Sequence, residues 1–444
     1  MIRAEMRRLA RVALGAALAM TAAVAGATLP IQHWKTANGA RVLFVETHDL
    51  PMLDVSVDFP AGYGRDGRET SGTAALTLRL VGLGAEGLDE DQISERYADV
   101  GAQPSGRFDA DRAGISLRTL SSATERTQAL ELMARVLQQP TFPAEVLERE
   151  KSAVLAGLRE ADTKPEALAD REFRRLVFGD HPYGLRSSGE PETVTAITRD
   201  DLVAFYRRHY VADAAVVSII GDVSGDEARA IADRLTRGLG KSAGALPALP
   251  PVPPLEAARV ARIAHPATQT HILIGQPGIR RKDPDYFPLW LGNYVLGGGG
   301  FSSRLSDEIR QKRGFAYSTY SYFNPLAAEG PFQVGLQTRK QQSGQALEVA
   351  QRVLADFVEN GPTQQELDNA KQNIIGGFPL RIDSNGKILE YLSVIGFYDL
   401  PLDYLDQFPA KIEAVTLEEV RDAWKRRVRP DRMATVVVAG SESR

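Results

Sequence analysis

Arg310 and Tyr317 stand seven residues apart in FSSRLSDEIRQKRGFAY (residues 301–317), and this pair of side chains suits one kind of chemistry. A guanidinium and a phenol both donate hydrogen bonds, and donors aimed at a peptide carbonyl stabilise the oxyanion it becomes as its carbon turns tetrahedral. Taken alone, an Arg near a helix end also reads as a solvated C-terminal charge, and a Tyr in a strand as core. Four glycines (residues 297–300) permit a sharp entry, Ser302 or Ser303 is placed to cap a helix, and Leu305 and Ile309 fall on one face of it. Gly314 ends that helix, and residues 316–323 continue as a strand rich in Ser, Thr and Tyr. The glycine run does not read as a nucleotide site: no G-x-G-x-x-G follows a strand with an acid downstream, and no Lys-Ser/Thr closes it.

Other chemistries lack their residues. The chain has no cysteine, which removes disulfides, thiolate nucleophiles and Cys zinc sites. Its six histidines are His33, His48, His181, His209, His265 and His271, and no two are three or four apart, the spacing with which a helix face clamps a metal. His265 and His271 flank a strand start, where their separation is poor metal geometry, and His181 in HPYG reads as a turn residue bonding locally. No G-x-S-x-G occurs, and Ser187 and Ser188 lie too close to His181 in sequence to define a triad.

The elements that must position Arg310 and Tyr317 follow from patterning. Residues 1–27 have the form of a secretory signal peptide: Arg3, Arg7, Arg8 and Arg11, then an apolar run too short for a comfortable bilayer span, then small residues. Its removal would take away four Arg and one Glu, moving the formal charge from −4 to −7 (−4 − 4 + 1), so no basic nucleic-acid face is implied. Export and no stable membrane insertion are therefore expected, with a periplasmic or otherwise exported location. Residues 28–238 form a first domain, residues 239–256 a Pro-rich linker, and residues 257–444 a second domain. The two end alike. Residues 196–222 and 414–440 both run from a Thr N-cap through an acidic first turn and an amphipathic helix with basic residues at its end to a β-branched strand closing on Gly, which reads as an internal duplication. Strands at 41–46, 53–60 and 271–275 beside long helices at 122–137, 144–160 and 342–360 point to α+β halves, each a largely antiparallel sheet with helices mainly on one face.

GGGGFSSRLSDEIRQKRGFAYS (residues 297–318), HPYGLRSSG (residues 181–189), the repeated helix–strand ends and the central linker together resemble the insulinase, or pitrilysin and mitochondrial-processing-peptidase-like, zinc metallopeptidases. The resemblance covers essentially the whole mature chain and implies a clamshell half built of two homologous domains. It also implies that Arg310 and Tyr317 hold a substrate's backbone carbonyl. In that family a catalytic half carries H-x-x-E-H on a helix, two His for zinc and a Glu for water, with a Glu ligand further on. Here the matching helix reads TAALTLRL, placing Ala75, Leu78 and Arg79 at those three positions, and a fixed Arg79 cation would repel Zn²⁺. In EKSAVLAGLRE the acid Glu150 remains upstream, but Ala156 and Gly157 stand where the ligand carboxylate belongs. An edge strand that grips substrate is replaced by Ser105 and Gly106 behind Pro104, which removes a donor.

The expectation is a zinc-free chain, inactive alone, that binds peptide with Arg310 and Tyr317 beside an H-x-x-E-H subunit of the same family carrying the zinc. Two alternatives stay open: a structural or assembly subunit without substrate contact, and a stand-alone peptide-binding protein.

Overall fold

The computed structural model describes residues 30–439; the expected export segment, residues 1–27, lies outside the described residues. No helix among them is long and apolar enough to cross a membrane. The N-terminal half contributes β1 (Gln32–Lys35), β2 (Arg41–Glu46), β3 (Met52–Phe59), a short hairpin of β4 (Gly84–Ala85) and β5 (Leu88–Asp89), β6 (Gln103–Phe108), β7 (Ala113–Leu120) and β8 (Val216–Gly221). The C-terminal half contributes β9 (Arg259–Ala264), β10 (Gln269–Pro277), β11 (Ala316–Phe323), β12 (Pro331–Arg339) and β13 (Ala434–Ala439). Their sheets run β1-β2-β8-β3-β7-β6 and β11-β12-β10-β13-β9. With β1 set aside, the second order read backwards matches the first, strand for strand. In each sheet one pair is parallel, β2 with β8 and β9 with β13, and the remaining neighbours are antiparallel. The duplicated ends are built alike in detail: Thr198 and Thr416 each accept from the backbone N–H three residues on, and Asp201 and Glu419 return the bond.

The fold is the expected α+β pair of largely antiparallel halves, and each half's own helices cover one face of its sheet. The other face is covered by exchange. Helix Asn385–Phe397 of the C-terminal half lies on β2, β3 and β8, while helix Pro165–Phe178 of the N-terminal half lies on β10 and β13. This explains the apolar run of β8, VVSIIG, broken only by Ser218, in which every residue is buried. In β3 the pleat separates Leu53, Val55, Val57 and Phe59, which enter the N-terminal core, from Asp54, Ser56 and Asp58 on the face toward the exchanged helix. There Ser393 donates to Asp58 (2.7 Å) and Arg107 donates to Ser393 (2.6 Å). Gly275 of β10 is a place where only glycine fits, because a Cβ would lie 2.0 Å from the Phe332 carbonyl oxygen and 2.7 Å from the Phe173 ring packed over it.

Asp111, in the turn between β6 and β7, ties the halves together. It accepts from Tyr183 Oη (2.5 Å), Tyr398 Oη (2.8 Å) and the Ala327 N–H (2.7 Å), and burial pushes its carboxyl above the usual range. The Pro-rich segment is also held: Val252 and Leu255 are buried in the core between the halves, and His181 Nε2 bonds the Pro250 carbonyl (2.9 Å). His181 thus fastens its own turn, through the Tyr183 N–H (3.1 Å), to the linker.

Candidate functional site

Arg310 and Tyr317 are brought side by side. A tight turn leads into a helical stretch whose Ser306–Gln311 segment is wound with the wider π repeat; the Ser303 hydroxyl accepts from the Ser306 N–H (3.4 Å) and serves as its cap. Gly314 takes φ +61° and its N–H donates to the Arg310 carbonyl (2.9 Å), closing the helix, whose last residue is Gln311. β11 then leaves along the edge of its sheet, and its pairing with β12 slips between Ala316 and Thr319. Such an irregularity re-aims side chains. It falls on Tyr317, which is 84% exposed. The Arg310 guanidinium lies 4.7 Å from the Tyr317 ring centroid and 4.3 Å from that of Phe301, which is also exposed. This cation between two ring faces is paired with no carboxylate among the described residues, and its N–H edge stays available to an incoming acceptor. Phe301 carries no motif of its own in the sequence; its place in this stack is visible only in the folded chain.

The positions that would hold zinc form a second, separate place, lined among the described residues only by the N-terminal half. Helix Thr73–Val81 turns Ala75, Leu78, Arg79 and, just past its end, Gly82 into one cleft of about 760 Å³, the i, i+3, i+4, i+7 face on which ligands would stand. Pro104, Ser105 and Gly106 of β6 line it from the other side, and a Cβ on Gly106 would sit 3.9 Å from Leu78 Cδ2. The walls are largely apolar, among them Ile93, Tyr97, Phe108 and Ile115. Arg79 donates from Nε to Glu150, a residue 71 positions away on helix Ala144–Ala161. Glu150, almost fully buried, also accepts from Arg149 Nη2 (2.9 Å), and Arg149 grips Glu90 bidentately (2.5 and 2.6 Å). The Arg79–Glu150 pair therefore links the two helices that a metal would otherwise join, and Arg149 extends the network to Glu90 on helix Glu90–Asp99. Ala156 and Gly157 are exposed, and a Cβ on Gly157 would meet nothing within 4 Å. These residues do not fit zinc. Ala75 and Gly157 have no donor atom, Leu78 has no carboxylate to activate water, and Arg79 is a cation already committed to an acid. Among the described residues no group of three or more His, Asp or Glu is arranged to hold a metal ion.

Two titrating groups flank that helix with opposite pH signs. Asp66 accepts from the Gly72 (2.9 Å) and Ala74 (3.0 Å) N–H groups and caps the helix, yet burial pushes its carboxyl up to about 7. His209 closes the neighbouring helix Arg199–His209; burial first, then Arg65 and Arg208, push it down to about 4. A carboxyl whose folded value exceeds its unfolded one binds an extra proton in the fold, so its contribution to stability is lost as pH rises from about 4 to about 7. A His with a lowered value is neutral when folded and charged when unfolded, so its contribution is lost as pH falls from about 6.5 to about 4. Relative to the parent chain, Asp66→Asn is expected to lose stability on acidification across this window and His209→Gln to gain it, each by up to about 1.4 kcal/mol per pH unit. Urea midpoints at about pH 4.5, 5.5 and 6.5 check the signs.

Fold and site together define a half-clamshell of the zinc-peptidase type in which the metal helix has lost its ligands. The description "Insulinase (Peptidase family M16)" matches residues 41–188, and "Peptidase M16 inactive domain" matches residues 196–374. A solved structure of a peptidase M16 inactive domain from Pseudomonas fluorescens is 39% identical, covering 93% of this chain and 98% of that one, with a TM-score of 0.89. An uncharacterised zinc protease of Mycobacterium leprae is 28% identical over 90% of this chain and 88% of its own length. The non-peptidase homolog YmxG of Helicobacter pylori is 26% identical over 86% and 87%. The chain belongs to the insulinase family, peptidase family M16, and with its ligand positions replaced it stands among the inactive homologues.

Proposed function

We propose that this chain is the zinc-free subunit of a two-subunit metallopeptidase, supplying carbonyl binding and one wall of the chamber while a family partner bearing H-x-x-E-H supplies zinc and water. The observation that carries the reading is the exposed Arg310–Tyr317 pair, stacked with Phe301 at a re-aimed point of an edge strand, in a chain whose own metal helix has no ligands. A bare wall needs no unneutralised guanidinium held between two solvent-exposed rings. A site that receives a developing oxyanion does. Peptide substrates follow from that role, and the N-terminal pattern of residues 1–27 supports export.

The test is an activity assay on the purified pair. Arg310→Ala is expected to lower kcat/KM by roughly 100-fold, the range for losing one aimed oxyanion donor. Stability and co-purification with the partner should be unchanged, since the side chain is at the surface. Proteolysis that proceeds unaltered would instead assign the chain a structural or assembly role.

A further inference from the structure

We propose that the cleft vacated by the metal site is itself a binding site, for an extended peptide that ends in an apolar residue with a free C-terminal carboxylate. It requires no partner subunit, so it goes beyond the reading above.

Three features converge on that ligand. The first is an open strand edge. β6 is the last strand of its sheet, and in its turn the Asp109 N–H donates to the Arg112 carbonyl (2.9 Å). Counting back in twos along the register, Arg107 with Gly114, Ser105 with Ser116 and Gln103 with Arg118 exchange the ladder bonds. The N–H and C=O of Gly106 and Phe108, and the C=O of Pro104, consequently face outward. Pro104 sits where its missing N–H leaves the sheet intact and shortens only the docking edge. An added strand thus has a defined set of partners.

The second feature is the cavity below that edge. Its volume of about 760 Å³ is within the range of real ligand sites, and Leu78, where a catalytic acid would stand, now contributes to an apolar wall. Gly106 opens the passage between β6 and Leu78, since it projects no side chain into the gap.

The third is charge. Only Arg79 and Glu90 are charged among the lining residues. Glu90 is matched by both terminal nitrogens of Arg149. Arg79 uses only Nε, toward Glu150; no hydrogen bond from its terminal nitrogens is made among the described residues, and its side chain is half exposed. Two parallel N–H donors at the mouth of an apolar pocket match a carboxylate. A mid-chain peptide segment offers these donors only single, neutral carbonyl oxygens, whereas a C-terminus presents a charged two-oxygen carboxylate and the last side chain together.

Fluorescence anisotropy on the purified chain alone, in a chelator, tests this with fluorescein-GSTVTL as the free acid, as the C-terminal amide, and with the last Leu replaced by Gly. The free acid is expected to bind saturably, with the amide and the Gly-ended peptide each roughly tenfold weaker or more. Arg79→Gln should bring the acid to the level of the amide, and Gly106→Pro, which removes one outward donor, should weaken both forms. Equal binding of acid and amide, no binding of any form at about 1 mM, or an acid preference that survives Arg79→Gln overturns the proposal. The acid–amide comparison uses the parent chain, so it decides even if a variant fails to fold. Loss of this binding with the Arg310 effect intact leaves the pairing role standing, and the converse leaves this site standing.

Discussion

Replacing Phe173 by Ala is expected to lower the unfolding free energy by about 3–5 kcal/mol, read as a fall in the urea midpoint without loss of a single transition. The ring is 1% exposed and belongs to helix Pro165–Phe178, which comes from the N-terminal half but packs on the C-terminal sheet. Its floor is Gly275, and its neighbours in the shared core include Leu273, Val436 and Val438. Truncation removes the transfer energy of the ring and leaves a cavity that a rigid sheet on one side and a helix on the other cannot close. Because each half's second sheet face is covered by the other half's helix, a defect at Phe173 weakens both halves together. The counterpart contact sets the opposite test. A Cβ on Gly396 would lie 2.5 Å from Val216 Cγ1 and 2.6 Å from Leu43 Cδ1, so Gly396→Ala should cost about 1–3 kcal/mol by overpacking. A loss below about 1 kcal/mol for Phe173→Ala would mean that the exchanged helix merely rests on the sheet.

Local signals carried much of this fold. The helices expected at 122–137, 144–160 and 342–360 are Ala123–Gln138, Ala144–Ala161 and Ser343–Asn360, because their apolar periods are carried by residues within each segment itself. The closeness of Arg310 to Tyr317 was legible for the same reason: a Gly stop and a following strand fix it over seven residues. What stayed hidden depends on distant parts of the chain. Helix Asn385–Phe397 buries Ile388, Leu389, Leu392, Ser393, Ile395 and Gly396, more than one stripe, and nothing in that pattern says which sheet receives its second face. The partner of Arg79 was equally out of reach. Read alone, Arg79 is a cation spoiling a metal site; across 71 residues it finds Glu150 and becomes the bolt between two helices.

That replacement can be reversed, and the expected result is large. The combined variant Ala75→His, Leu78→Glu, Arg79→His and Gly157→Glu should take up one Zn²⁺ per chain, where the parent chain takes up none. Positions 75 and 79 are one helical turn apart and line the same cleft, which is the relation two imidazoles need to reach one ion. Position 157 lies two turns beyond Glu150 on the same side of its helix, in open space that admits a carboxylate, and Glu150 already shows that this helix reaches residue 79. Removing the guanidinium is the decisive change, since a fixed positive charge repels the ion and Glu150 is freed to hydrogen-bond a metal-bound His. Zinc should then raise the denaturation midpoint of the variant, by about 4 kcal/mol at a thousandfold excess over Kd, and leave the parent unmoved. Metal analysis after gel filtration gives the stoichiometry. A variant that folds but stays zinc-free would show that the two helices no longer stand at metal-binding distance, and that the Arg79–Glu150 bridge has reset their spacing instead of filling a preserved one.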